Sequence, residues 1–195
     1  TYINLDQRAD RDNQFKSQFR DISGINLLRF SAIKHIPGNI GCTLSHIACV
    51  EKAKEKNLDY LIICEDDFEL LVPPTEFVNY ITNALHQDWD VFLLTGYLKA
   101  PHCSIQNNMA RISNAQTTTG YIVKSHYYDT LLENFKEGLS YLIKSPHELN
   151  MRETYSIDMY WKRLQIKDSW YISAPLLGKQ RIGFSDIDNG DINYD

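Results

Sequence analysis

Short apolar runs alternate with longer amphipathic segments in the first half of the chain. Tyr2–Leu5, Tyr60–Cys64 and Asp90–Leu94 have the length and apolar content of strands. Thr43–Lys56 repeats apolar residues at helical spacing and predicts a helix. Strands that are apolar on both faces are typical of a parallel sheet covered by helices. Since shorter, mixed elements follow, the pattern predicts an α/β domain with a partly mixed sheet.

The same signals predict further elements along the chain. The predicted helices are a segment ending at Phe19, the segment that follows Pro73–Thr75 and runs through Leu85, Ser125–Phe135 and Ile157–Leu164. The predicted strands are Leu27–Phe30, Ala32–Ile36, Trp170–Ile172 and two antiparallel additions, Arg111–Ile112 and Tyr121–Val123. The predicted irregular segments are the turn Pro37–Asn39, the loop Thr95–Asn108, in which a short strand is the alternative, and the Asp- and Asn-rich tail Gly183–Asp195.

Three carboxylates, Glu65, Asp66 and Asp67, follow the predicted strand Tyr60–Cys64 directly. Ligands of open α/β sheets bind outside the carboxyl ends of the strands, and carboxylate oxygens suit Mg²⁺ and Mn²⁺. Glu65 and Asp67 are two positions apart, so an extended backbone points them to the same side and Asp66 to the other. One interpretation is a divalent cation that also contacts a phosphate-bearing ligand. The other is capping of free amide groups at the start of a helix.

Composition excludes several classes of function. The chain has 195 residues, enough for one domain, and its net charge of −5 argues against nucleic-acid binding. No apolar run reaches the ~18 residues that a membrane span needs. The chain begins at Thr1, within a predicted strand, so we expect a domain excised from a longer protein or a processed product.

The four cysteines, Cys42, Cys49, Cys64 and Cys103, form no C-x-x-C pair, so a zinc site is not expected. Reduced thiols packed in the core are the preferred interpretation. Because disulfides persist mainly in oxidising compartments, this favours an intracellular, cytoplasmic location.

Six short segments form an ordered set that covers nearly the whole chain. They are INLDQRADR at 3–11, GCTLSH at 41–46, LIICEDD at 61–67, TTGYIV at 118–123, IDM at 157–159 and PLLGKQ at 175–180. The set resembles glycosyltransferase family 25, which includes lipopolysaccharide-type sugar transferases and collagen galactosyltransferases. Each segment is a weak signal alone, whereas the ordered set is specific.

The resemblance implies a single domain over residues 1–195, with a GT-A-like, Rossmann-type α/β fold and a mixed, mostly parallel central sheet. It implies transfer of a hexose from a nucleotide-diphosphate sugar, usually UDP-linked, to a hydroxyl group of a glycan or protein, with inversion at the anomeric carbon. Mn²⁺ or Mg²⁺ is the expected cofactor.

By this resemblance, Asn4 and Leu5 face the base of the donor nucleotide. Arg8 or Arg11 pairs with phosphate or braces the loop, since arginine offers a planar, bidentate fork. The alternative is that Asp6 caps the helix and both arginines are solvated.

Asp67 is the expected direct metal ligand, with Glu65 on the same side. Asp66 or Glu65 contacts the ribose or a metal-bound water. A further ligand late in the chain is left open between His147 and Asp186.

The segment 41–46 is expected to open a helix whose free amide groups, near Gly41 and Ser45, attract a phosphate or a sugar hydroxyl. His46 either reaches the site or packs inside the fold. The wall near the sugar is expected to contain Gly120 and Tyr121.

An inverting transfer needs a base to take the proton of the acceptor hydroxyl. The resemblance assigns this role to Asp158, with helix capping as the alternative. Gln180 either closes over the donor or makes ordinary loop contacts. Two other functions stay open: a non-catalytic nucleotide-sugar or glycan-binding domain of the same fold, and an acidic-cluster phosphohydrolase.

Overall fold

Strands and helices alternate in the structure, a computed structural model that describes residues 1–20, 22, 25–98, 106–145, 148–185 and 190–192. Three residues considered above, Cys103, His147 and Asp186, lie outside the described residues. The strands are β1 Tyr2–Asn4, β2 Arg29–Ser31, β3 Tyr60–Glu65, β4 Phe68–Leu70, β5 Val91–Leu93, β6 Tyr97–Leu98, β7 Met109–Arg111, β8 Ala115–Gln116, β9 Gly120–Lys124, β10 Trp170–Ser173, β11 Gly178–Gln180, β12 Gly183–Ser185 and β13 Gly190–Ile192. The helices are α1 Ala9–Ser17, α2 Gly38–Glu55, α3 Pro74–Leu85, α4 Tyr128–Lys144, α5 Leu149–Tyr155, α6 Ile157–Tyr160 and α7 Lys162–Lys167, with a 3₁₀ turn at Ser125–Tyr127.

A seven-stranded sheet has the order β2-β1-β3-β9-β5-β10-β7. β1 pairs in parallel with β2 and β3, and β5 with β10. β9 runs antiparallel to both β3 and β5, and β7 runs antiparallel to β10. Five of the seven strands therefore share one direction. This confirms the predicted mixed, mostly parallel sheet.

Helices cover both faces of this sheet. Alternate residues of β9 enter two different buried clusters, with Tyr121 and Val123 in one and Ile122 in the other. Since successive side chains of a strand point to opposite faces, the clusters lie on opposite sides of the sheet. The first contains buried side chains of α2 and α4, and the second contains those of α1 and α3. Within the described ranges, no helix combines the length and apolar content needed to cross a bilayer.

The predicted strand Ala32–Ile36 is wrong. All of these residues are described, and the chain leaves the sheet after β2 at Ser31. The amide of Ala32 makes the last contact with the sheet, donating to the carbonyl of Asn4 at 2.9 Å. The amide of Ile33 instead donates to Ser45 Oγ of α2 at 2.8 Å. A side chain of a helix thus replaces the strand partner, and residues 32–36 become a loop over α2.

Helix α2 begins at Gly38, five residues before the predicted start at Thr43, so Pro37–Asn39 is the helix start and not a separate turn. Thr43 Oγ1 donates to the carbonyl of Asn39 at 2.8 Å in the first turns of the helix.

Helix α4 continues to Lys144, beyond the predicted end at Phe135, because Leu139 and Leu142 extend its buried face. The segment predicted as one helix at Ile157–Leu164 forms α6 and α7, and the tail contains the β12–β13 hairpin where no regular structure was predicted.

Candidate functional site

A pocket of about 580 Å³ lies where β1 and β3 end. The acidic residues form one part of its lining, and the loop 32–37 with the start of α2 forms another. The residues predicted from the sequence that line it are Leu5, Arg11, Gly41, Ser45, His46, Glu65, Asp66, Asp67 and Gln180. The fold therefore collects these residues, which are distant in the sequence, at the carboxyl edge of the sheet, where α/β proteins bind ligands.

Asp66 is held on both carboxylate oxygens. Asn4 Nδ2 donates to Oδ2 at 2.8 Å, and Arg11 donates to Oδ1 at 2.8 Å. Asn4 is buried and accepts a hydrogen bond from Arg29 Nε at 2.9 Å through its own oxygen. Burial raises the pKa of Asp66 above its usual value, while Arg11 opposes that rise. Asp66 therefore connects β1 to α1 and fixes the position of the Arg11 guanidinium.

Asp67 is held on one oxygen only. Gln180 Nε2 donates to Oδ2 at 3.0 Å, and Arg11 lies 3.8 Å from the same oxygen. The other oxygen, Oδ1, is buried and has no hydrogen-bond partner among the described residues. Burial, together with the charge of Glu65, raises the pKa of Asp67 to about 7. A buried carboxylate oxygen without a donor is unfavourable, and a divalent cation of the Mg²⁺ or Mn²⁺ class fits it.

Glu65, the last residue of β3, faces α2 and the segment before β9. Thr118 Oγ1 donates to Glu65 Oε1 at 2.5 Å, and His46 Nε2 lies 3.5 Å from the same oxygen. Burial disfavours the charged form of Glu65, but His46, Thr118 and Arg11 together outweigh it, so its pKa lies below the usual value. Glu65 is therefore a carboxylate at neutral pH.

His46 is fully buried, yet it lines the pocket. Its Nδ1 is 3.0 Å from the hydroxyl of Tyr121, and the two rings are stacked with centroids 5.7 Å apart. Tyr121 packs edge-on against Trp161 in the core. His46 thus lies between the core and the pocket. It packs inside the fold, which was one interpretation of the sequence, and it also lines the pocket.

Gly41 determines how closely the loop 32–37 approaches α2. A Cβ atom at this position would overlap the carbonyl oxygen of Ile33 and lie 3.0 Å from the amide nitrogen of His35. Ser45 Oγ donates to the Gly41 carbonyl at 2.7 Å as well as accepting from Ile33. Because α2 begins at Gly38, the amides of residues 41–46 lie beyond the free first turn. These amides are therefore not the free amides of a first turn, and donor binding near Gly41 and Ser45 stays a prediction.

The other predicted residues are not among the described residues that line the pocket, namely Asn4, Arg8, Gly120, Tyr121 and Asp158. Arg8 is the first residue before α1 and donates to Asp10 through Nε and Nη2 at 3.0 and 2.9 Å. Asp6 accepts from Arg29 and Ser31 and does not cap α1. A Cβ atom at Gly120 would come within 2.8 Å of the Phe68 ring, so this glycine serves close packing.

A short chain of contacts joins Asp158 to the acidic edge, which is formed by Glu65, Asp66 and Asp67 at the end of β3. Its Oδ2 accepts the backbone amide of Thr117 at 3.1 Å, and Thr117 Oγ1 donates to Gln180 Oε1 at 3.3 Å. Gln180 in turn holds Asp67. Thr117 has a φ of 80°, an uncommon conformation for a β-branched residue, which marks a constrained position next to the site. Burial raises the pKa of Asp158, and the Thr117 amide opposes that rise.

No site role was predicted for Cys42, nor for Arg29, which donates to the side-chain oxygen of Asn4. One ligand atom each from Cys42, His46 and Glu65 lies within 4.8 Å of the others. The C-x-x-C criterion could not find this group, because Glu65 meets the two α2 residues only in the folded protein. The i, i+4 spacing of Cys42 and His46 on a helix is the one signal that could have linked that pair.

Comparison with known proteins gives consistent results. The model of "Glycosyltransferase family 25 (LPS biosynthesis protein)" matches residues 37–146. A Haemophilus influenzae (strain Rd) protein named "Putative glycosyltransferase" is 41% identical over 64 residues, which are 32% of this chain and 23% of that protein. The matched part thus spans less than a quarter of the relative's length.

Among solved structures, the crystal structure of A197 from STIV matches with a TM-score of 0.53 and 15% identity, covering 100% of this chain and 92% of that one. At this identity, the likeness concerns the fold alone. The family model, by contrast, covers more than half of the sequence, from residue 37 to residue 146. This protein therefore belongs to glycosyltransferase family 25.

Proposed function

We propose that residues 1–195 act as one domain of a metal-dependent, inverting glycosyltransferase. It moves a hexose from a nucleotide-diphosphate sugar, UDP-linked, to a hydroxyl group of a glycan or protein acceptor. The observation that carries the proposal is Asp67, whose buried Oδ1 has no hydrogen-bond partner among the described residues, beside Glu65 on the wall of the pocket. Family membership supplies the class of reaction.

The pocket has the size and lining that a nucleotide diphosphate needs. Its volume of about 580 Å³ is typical of small-molecule sites. Leu5, Ile33 and Pro37 provide apolar surface for a base, while Arg11 and Lys34 provide positive charge for phosphates. Apolar and cationic groups within one cavity support a ligand that has both an aromatic and an anionic part.

Asp67 and Glu65 would hold the cation, which would offset the charge that develops on the departing diphosphate. Carboxylates suit a hard cation of the Mn²⁺ or Mg²⁺ class. Asp66, with both oxygens already bonded, keeps Arg11 directed at the same region. Arg11 then adds a fixed positive charge where negative charge develops, which is an effective form of electrostatic catalysis.

Asp158 is the proposed base. The Thr117 amide orients its carboxyl group, and burial raises its pKa toward the range in which a carboxylate accepts a proton effectively. In this scheme Asp158 takes the proton of the acceptor hydroxyl while the hydroxyl oxygen attacks the sugar. Thr117 and Gln180 keep the base in a fixed relation to Asp67.

Replacing Asp67 tests the proposal. Asp67→Ala removes the carboxylate with the unpartnered oxygen, so we expect Mn²⁺-dependent release of UDP from UDP-hexoses to fall on the order of 10²-fold or more. Release is measured with hydroxyl acceptors present, and circular dichroism checks that the variant is folded. Asp88→Ala, which changes an exposed carboxylate outside the pocket lining, is the matched control and should retain full activity.

Full activity of Asp67→Ala would reject the metal role. Donor binding by the unaltered protein without UDP release, across hydroxyl acceptors of several classes, would instead support a non-catalytic binding domain. Release of free sugar without any acceptor product would support a hydrolase.

A further inference from the structure

Cys42, His46 and Glu65 bring sulfur, nitrogen and oxygen ligand atoms together on the wall of the pocket. One such atom from each residue lies within 4.8 Å of the others, and all three residues line the cavity. Cys42 and His46 are four positions apart on α2 and share one face of the helix. Glu65 approaches that face from the end of β3. Two rigid elements therefore carry the cluster.

The imidazole of His46 gives a second, independent indication of a ligand. His46 is fully buried, and its Nε2 has no hydrogen-bond partner among the described residues. The 3.5 Å from Nε2 to Glu65 Oε1 exceeds the length of a well-formed hydrogen bond. A buried polar atom without a partner costs free energy, and a metal ion between the two groups would satisfy both.

Neighbouring side chains orient two of the three ligands. When Nδ1 carries the proton, His46 donates to the Tyr121 hydroxyl, 3.0 Å away, and Nε2 presents its lone pair to the cluster. Thr118 Oγ1 donates to Glu65 Oε1 at 2.5 Å and restricts rotation of that carboxylate. Hydrogen bonds of this kind fix the tautomer and direction of metal ligands.

We propose that Cys42, His46 and Glu65 form a binding site for a Zn²⁺-class cation, which shares Glu65 with the proposed carboxylate site at Asp67 but differs from it in its sulfur and nitrogen ligands. A thiol, an imidazole and a carboxylate favour Zn²⁺, whereas Mn²⁺ and Mg²⁺ favour oxygen ligands alone. On binding, the S–H bond of Cys42 breaks, its proton passes to solvent and a zinc–sulfur bond forms. Three protein ligands leave a fourth position for water or an anionic ligand from the pocket.

The geometry requires only a local adjustment. Zinc bonds of roughly 2.0–2.3 Å place tetrahedral ligand atoms roughly 3.3–3.8 Å apart. The His46 Nε2 to Glu65 Oε1 distance of 3.5 Å already meets this, while the cluster as a whole extends to 4.8 Å. Rotation of the Cys42 side chain, which is only partly buried, can supply the remaining approach of roughly 1 Å.

Cobalt spectroscopy tests the site without any activity assay. The full chain is stripped of metal with EDTA and titrated with Co²⁺ alone, then with Zn²⁺ alone by calorimetry. We expect one Co²⁺ ion per chain to give a thiolate-to-cobalt charge-transfer band in the near ultraviolet, with visible bands as intense as those of tetrahedral Co²⁺. Zn²⁺ should displace Co²⁺ and remove these bands.

The variants assign the ligands. Cys42→Ser should lose the charge-transfer band and bind Zn²⁺ at least tenfold more weakly, and Cys42→Ala provides a second test if serine impairs folding. Cys49→Ser alters a buried cysteine of the same helix outside the cluster and should keep the band. Tyr121→Phe removes only the hydroxyl that orients His46 and should weaken Zn²⁺ binding about 10- to 100-fold.

Failure of this proposal is distinguishable from failure of the proposed function. Asp67→Asn should keep the cobalt band, because Asp67 is outside the cluster. Absence of the band in the unaltered protein, or its persistence in Cys42→Ser, overturns the zinc site and says nothing against sugar transfer.

Discussion

Asp66 and Asp67 are adjacent, yet they have different partners. β3 ends at Glu65, so the two aspartates form a turn in which strand alternation no longer fixes their directions. Asp66 bonds Asn4 and Arg11, whereas Asp67 bonds Gln180 and keeps one oxygen without a partner among the described residues. The partners therefore determine what each carboxylate can bind.

Asp158→Asn tests whether Asp158 acts as the base while the shape of its side chain stays nearly the same. Asparagine has nearly the same shape and can still accept the Thr117 amide, but it cannot take a proton. We expect transfer to fall on the order of 10²-fold or more while donor affinity changes by less than about threefold. Turnover is measured with saturating donor, and donor affinity by calorimetry. Asp129→Asn, an exposed change on α4, is the control, and an unchanged rate for Asp158→Asn would remove this residue from the role of base.

The pKa of Asp67 predicts a pH dependence of stability. Its pKa is about 7 in the folded protein, against 3.8 for an ordinary exposed aspartate. Between these values the folded state binds more protons than the unfolded state, so the free energy of unfolding falls as pH rises, by at most about 1.4 kcal/mol per pH unit. Asp67→Asn should flatten this decline. Urea unfolding in EDTA between about pH 5 and pH 7 measures it, and equal slopes for both proteins would contradict the prediction.

A site residue could be predicted when the sequence pattern that indicates it lies next to it in the chain. Glu65, Asp66 and Asp67 follow an apolar strand directly, so their position at the sheet edge was readable. The partners of Asp66 and Asp67 were not, because Asn4 and Gln180 are far away in the sequence. Cys42 likewise meets Glu65 only after α2 has packed beside β3.

Among the elements, β9 shows where strand prediction succeeds and where it ends. Its apolar residues predicted a strand, and its antiparallel direction was expected. Its central position was not, because both neighbours, β3 and β5, precede it in the chain and the sequence does not state which strands it joins. The predicted strand at Ala32–Ile36 was wrong for a related reason, since Ser45 of a distant helix takes the hydrogen bond that a strand would use.

Gly41→Ala tests the contact between α2 and the loop 32–37, which lines the pocket. The new methyl group would overlap the carbonyl oxygen of Ile33 and displace the loop, so we expect nucleotide affinity to fall at least about tenfold and stability to fall by about 1–3 kcal/mol. Calorimetry with UDP and Mn²⁺, together with urea unfolding, measures both. Gly183→Ala, where a Cβ would meet no described atom within 4 Å, should change neither. Equal behaviour of the two variants would mean that the loop does not shape the site.

The proposed function predicts that a donor nucleotide stabilises the molecule as a whole. A ligand at 100 times its dissociation constant adds about 2.7 kcal/mol to the free energy of unfolding. For a chain of this size, that corresponds to a rise of roughly 5–10 °C in the melting temperature. A thermal-shift series with UDP- and GDP-sugars, with and without Mn²⁺, measures it. Mn²⁺ alone and the Asp67→Ala protein are the controls, and the absence of any shift with every nucleotide would count against a donor site here.

The contacts of Gln180 have a consequence for biosynthesis. Gln180 holds both Asp67 and Thr117, and the next amide, that of Arg181, donates to the Asp67 carbonyl at 2.8 Å. A nascent chain that has not yet exposed residues 180 and 181 outside the ribosome lacks these contacts, although Glu65, Asp66 and Asp67 have already been synthesised. Translation must therefore pass this point before these contacts to Asp67 can form.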